Sequence, residues 1–146
     1  MNERSAAQSL ASLAGTAFLV VGILGFVPGV TEEFHRLRFA GHRSAAELFG
    51  IYDISILHNL LHLALGVAGL WLARTFTGAR AYLVGAGALY VVLGVYGLAV
   101  SRASDANFIP VDAADDWTHL AVGVALIAAG IVAARARPAR AVALGP

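Results

Sequence analysis

The chain has 146 residues, 59% of them apolar and 13% charged, with a net charge of +1. Soluble domains carry roughly 45–50% apolar and about 25% charged residues, so the composition argues against an ordinary soluble globule, and no basic cluster is dense enough to hold nucleic acid. Cysteine and lysine are both absent, which removes disulfides, thiolate metal ligands, cysteine nucleophiles and Schiff-base chemistry.

Four stretches contain no Asp, Glu or Arg: Leu10–Val27, Ile56–Ala73, Ala81–Val100 and Trp117–Ala134. Each is long enough for an α-helix to cross a hydrocarbon core of about 30 Å. Backbone polar groups cannot stay unpaired in lipid, so these segments must be helical. The prediction is an all-α membrane protein with a four-helix transmembrane domain over 10–134, the spans at about 10–27, 56–73, 81–100 and 117–134. The first run is too long for the apolar part of a secretory signal and Phe26-Val27-Pro28-Gly29 is no small-x-small cleavage site, so it is read as a retained helix. Residues 1–9 and 135–146 read as disordered tails.

The outer loop, 28–53, is the one extramembrane stretch of any size. Thr31-Glu32-Glu33 has the form of a helix start, with Glu32 placed to pair with Arg36. Ser44-Ala-Ala-Glu47 has the form of a capping box before Leu48 and Phe49. Short interfacial helices are therefore predicted here. The N-terminus, the 2–3 loop and the C-terminus hold six arginines, against four on the other side (Arg36, Arg38, Arg43, Arg102). The positive-inside bias then places both termini in the cytoplasm and the chain in the plasma membrane.

The chain also repeats itself. His62-Leu-Ala-Leu-Gly-Val-Ala68 recurs 57 residues on as His119-Leu-Ala-Val-Gly-Val-Ala125, an offset that also carries Ser55 onto Asp112. Gly15, Gly22 and Gly25 recur 72 residues on as Gly87, Gly94 and Gly97. A parallel internal duplication (2+2) is predicted, helices 1–2 corresponding to helices 3–4 about an axis along the membrane normal. The glycines mark where helices touch, because membrane helices associate through close packing at small residues.

The motifs Gly-Phe-Val-Pro-Gly (25–29), Leu-His-Asn-Leu-Leu-His-Leu-Ala-Leu-Gly-Val-Ala-Gly (57–69), Asn-Phe-Ile-Pro (107–110) and Ala-Asp-Asp-Trp-Thr-His-Leu (114–120) follow in order. In them the chain resembles, from Leu10 to Val132, a bacterial family of membrane proteins catalogued as domain of unknown function 4383. The resemblance implies a multi-pass membrane protein and no particular activity.

Ionisable residues inside a span are costly and point to function or pairing. His58 and His62 lie one turn apart on one helix face; with helices 2 and 4 adjacent, His119 and Asp115 approach them. His58, His62, His119 and Asp115 together would suit Zn²⁺ or another transition metal. His62 and His119, at matching depth, would alternatively serve as axial ligands of haem b. The plainer reading is that the histidines hydrogen-bond between helices without a cofactor, and that Asp112, Asp115 and Asp116 complement a helix N-terminus. Tyr90 and Tyr96 read as packing residues, and His35 and His42 as solvated loop residues. No nucleophile–base pair, phosphate loop or dinucleotide fingerprint is present, so no enzyme is predicted. The expected function is a structural or accessory membrane subunit, with lipid and other membrane subunits or further copies as partners. The alternative is a small metal- or haem-binding redox membrane protein.

Overall fold

The computed structural model describes residues 4–135. Four helices dominate it: α1 (Ala6–Leu24), α2 (Ile56–Leu72), α3 (Phe76–Ala99) and α4 (Ala113–Arg135). Three of them, α1, α3 and α4, are long and apolar enough to cross a membrane; α2 has 17 residues. Leu13, Val67, Val92 and Val124, one from each helix, are all at least 60% exposed. Apolar surface spread over every helix in this way suits lipid, not water.

Helix α1 begins inside the stretch read as a tail. Ser5 accepts from the Gln8 backbone while Gln8 reaches back to the Ser5 backbone, and this capping box starts the helix at Ala6. The Gln8 amide also donates to the Arg74 carbonyl, tying the start of α1 to the turn after α2. The tail read over 136–146 lies outside the described residues.

The outer loop departs from the expected interfacial helices. One short 3-10 helix, Phe34–Arg36, is present, but the rest is an antiparallel sheet of β1 (Thr31–Glu32), β2 (Ala46–Leu48) and β3 (Tyr52–Ile54). Arg36 pairs with Glu33, whereas Glu32 stands opposite Glu47 in the sheet. The Ser44-x-x-Glu47 signal misleads because Ser44 is buried and donates instead to the Ile54 carbonyl at 2.6 Å. Alternation decides the outcome: Ala46, Leu48 and Ile54 turn inward while Glu47 stays half-exposed, which is the period-two pattern of a strand. Phe49 and Gly50, both at positive φ, make the turn between β2 and β3. The inward face packs on Val21, Leu24 and Val30, so the sheet caps the C-terminal end of α1.

Glu47 and Asp53 face each other across β2 and β3, and the Asp112 side chain accepts from the Asp53 backbone at 3.3 Å. Burial, then the neighbouring Asp112 and Glu47, push the Asp53 carboxyl above its ordinary value, opposed by Arg102. An acid raised in the folded state binds more protons folded than unfolded. Stability contributed by Asp53 is therefore present at low pH and lost as pH rises above the ordinary carboxylate range. Asp53→Asn should raise the melting temperature at pH 7 by about 1–2 °C, a modest surface-charge effect, with the gain disappearing near pH 3.

The helices associate as two pairs, α1 with α2 and α3 with α4, through their glycines. A methyl group placed on Gly15 would lie 2.9 Å from the Leu70 nitrogen, and one on Gly87 2.9 Å from the Ile127 nitrogen. On Gly22 it would meet the Asn59 carbonyl at 2.9 Å, and on Gly94 the Asp116 carbonyl at 2.8 Å. On Gly25 it would strike the Asn59 side chain, and on Gly97 the Asp116 side chain. Leu70 and Ile127, like Asn59 and Asp116, are 57 positions apart, while each pair of glycines is 72 apart.

Candidate functional site

Helices α2 and α4 bring the polar residues inside. Ser55 caps α2 by accepting from the His58 backbone, and the Arg38 and Phe39 carbonyls take the next free amides, those of Ile56 and Leu57. Asp112 caps α4 in the same way, its Oδ1 accepting from the Asp115 backbone at 2.8 Å. The Asp115 carboxylate in turn accepts from the Asp112 backbone at 3.4 Å, so the cap fixes its direction. The two loops at this end are tied together, the Gly41 backbone donating to the Phe108 carbonyl and His42 lying 3.8 Å from Asp105.

Below these caps His58, His62, His119 and Tyr90 converge. The rings of His58 and His62 stack at 4.7 Å, His58 lies 6.0 Å from His119, and Tyr90 lies 4.8 Å from His119. Among the described residues one group can gather a metal: His58, Asp115 and His119, with one ligand atom from each lying within 4.8 Å of the others. Tetrahedral ligand bonds of about 2 Å put donor atoms roughly 3.3 Å apart. Closing the set therefore takes shifts of about 1 Å, within reach of small side-chain rotations. All three residues are at least 95% buried.

The hydrogen bonds separate the histidines by role. His119 Nδ1 lies 2.7 Å from the Asp115 carbonyl. A carbonyl can only accept, so Nδ1 carries the proton and Nε2 keeps its lone pair. That arrangement, a backbone acceptor holding the far nitrogen, is the one metal-ligating histidines adopt. His58 Nδ1 is buried with no hydrogen bond, and the Pro110 carbonyl faces its ring. His62 is placed differently: its Nε2 lies 2.7 Å from the Tyr90 hydroxyl. His62 thus stands outside the group of three, and the hydroxyl engages one nitrogen of a would-be haem axial ligand.

Tyr90 packs in the buried core, as expected of it, and its hydroxyl in addition reaches His62; it shares a helix face with Gly87 and Gly94. Tyr96 does serve the loop: its hydroxyl donates to the Ala106 carbonyl and accepts from the Phe108 backbone. Asp116, fully buried, pairs with Arg102 at 3.2 Å and takes no part in the group of three.

Two cavities flank the histidines. One of about 310 Å³ lies in the seam between α1 and α4 under the sheet, and one of about 240 Å³ in the seam between α2 and α3. His58, His62, Tyr90 and His119 line both.

The family described as Domain of unknown function (DUF4383) matches residues 8–132. The chain belongs to this family. Neither a curated protein nor a solved structure matches it. The match takes in every residue that converges at the centre of this DUF4383 member, from Phe18 to His119.

Proposed function

We propose that this DUF4383 member is a four-span integral membrane protein made of two copies of one helix pair, with a divalent transition-metal site between the copies. The observation that carries the metal reading is the buried His58–Asp115–His119 group with a free lone pair on His119. If the histidines served only to brace helices, they would bond across helices. His62 does so through Tyr90, but His119 bonds within its own helix, to the Asp115 carbonyl. Two imidazoles and a carboxylate suit Zn²⁺ or a first-row neighbour, and three protein ligands leave a fourth position open. The structural-subunit reading keeps His62 and Tyr90 as its brace.

The two cavities support the duplication. Moving Ala17 and Val21 by 72 positions gives Leu89 and Leu93, and moving Leu65 by 57 gives Val122; each of these residues lines one seam only. The metal group then sits on the axis between copies, and the copies differ where it matters: Tyr90 gives His62 a hydroxyl, whereas Phe18 gives His119 none. A 17-residue α2 is at the short end of the roughly 17–25 residues a span needs, which keeps four spans feasible. The arginine count supports both termini lying in the cytoplasm and the sheet outside.

The test is metal analysis of the purified protein after zinc or cobalt loading and dialysis. One equivalent per chain, retained in His62→Ala, is expected. Less than about a tenth of an equivalent at saturating metal, where a site of this kind would be filled, would leave only the structural subunit.

A further inference from the structure

We propose that the α1/α4 seam binds a lipid-soluble, single-ring molecule carrying a phenol or quinone oxygen, which enters sideways from the bilayer with its oxygen toward His58 and His119. Of the two related seams this one is opened. Where the α2/α3 cavity has Leu89 and Leu61, the α1/α4 cavity has Ala17 and Thr118 at the corresponding offsets, and it is larger, about 310 against 240 Å³. Ala17 is exposed on the outward side of α1, so the mouth faces where lipid would lie. A dry cavity of about 150 Å³ takes up benzene, so this one has room for a ring and the first carbons of a tail.

The walls and the blind end select the ring. Phe18 is one wall, its ring stacked on Tyr90 at 4.9 Å, a flat apolar surface suited to another ring. The inner end is polar: His58, Asp115 and His119 line it, and His119 keeps the lone pair on Nε2. A plain acyl chain would leave such a group unsatisfied. A ring oxygen reaches the cluster, where it meets the fourth position of the metal; in this respect the inference rests on the metal reading.

The experiment uses the full-length protein in lipid nanodiscs, zinc-loaded, titrated with decyl-1,4-benzoquinone and its quinol, with decylbenzene as the oxygen-free control. Saturable binding of the quinone or quinol is expected, with decylbenzene at least about tenfold weaker, a difference of about 1.4 kcal/mol. Ala17→Leu and Thr118→Leu, which restore the side chains of the other seam, should each weaken binding about tenfold at unchanged zinc stoichiometry, while Leu89→Ala should not. Two variants are specified so that misfolding of one leaves the other decisive, with melting temperature recorded for both. No saturable binding, equal binding of decylbenzene (a lipid-tail cavity only), or binding insensitive to both substitutions would overturn the proposal. Probe binding without zinc would support the cavity and sink the metal reading. Zinc at one equivalent without probe binding would do the reverse.

Discussion

Gly123→Val is expected to lower the melting temperature of the detergent-purified protein by about 10 °C, while Gly85→Val leaves it within about 2 °C. Both glycines lie in apolar helices, and composition does not tell them apart. Space does. A Cβ on Gly123 would lie 2.8 Å from the Gly87 carbonyl and 2.8 Å from the Val91 nitrogen, whereas one on Gly85 meets nothing within 4 Å. The obstruction at Gly123 is backbone, which cannot rotate aside, so α3 and α4 must separate and lose contacts along their length. Overpacking costs about 1–3 kcal/mol where side chains can adjust, and the upper end applies here. For a chain of this size that is roughly 3 °C per kcal/mol. Gly66→Val should behave alike, since its Cβ would meet the Leu19 nitrogen at 2.7 Å and the Gly15 carbonyl at 2.8 Å. If Gly66→Val and Gly123→Val differed by much more than the scatter between replicate melts, the two helix pairs would not be packed as equivalents.

The same glycines show what the sequence makes legible. Where a residue type has one dominant use in lipid, the use can be read directly: Gly15, Gly22, Gly87 and Gly94 were expected at helix contacts and lie there. Ser55 and Asp112, residue types that favour helix N-caps, cap α2 and α4. The outer loop was not legible, because Thr31-Glu32-Glu33 and Ser44-Ala-Ala-Glu47 satisfy local helix rules that tertiary contacts override. Burying Ala46, Leu48 and Ile54 on the end of α1 outweighs a capping box. The site was legible as a set of residues but not as a set of bonds. Helical periodicity puts His58, His62 and His119 near one another, yet only geometry separates His62, held by Tyr90, from the two histidines that face Asp115.

His119→Ala is expected to weaken zinc or cobalt binding at least about a hundredfold, beyond the 10–100-fold typical of losing a supporting contact. It removes the nitrogen whose lone pair is held ready by the Asp115 carbonyl. Asp115→Asn should be nearly as severe, because it removes the carboxylate charge and disturbs the Asp112 cap that aims it. His62→Ala, by contrast, should change affinity by less than about fivefold, a second-order effect through the stacked His58 ring. Cobalt makes the comparison direct, since its visible absorption reports the coordination number as well as occupancy. The most discriminating change adds an atom. Phe18 stands 72 positions before Tyr90, and Tyr90 holds a histidine nitrogen at 2.7 Å. If the proposed duplication holds, Phe18→Tyr would offer His119 the matching hydroxyl, competing with the metal for Nε2. Affinity should fall about tenfold, the loss expected when a donor pair must be broken before binding, and the melting temperature of the metal-free protein should stay level or rise. A structural role for His119 predicts the same change in stability but no metal signal in either protein.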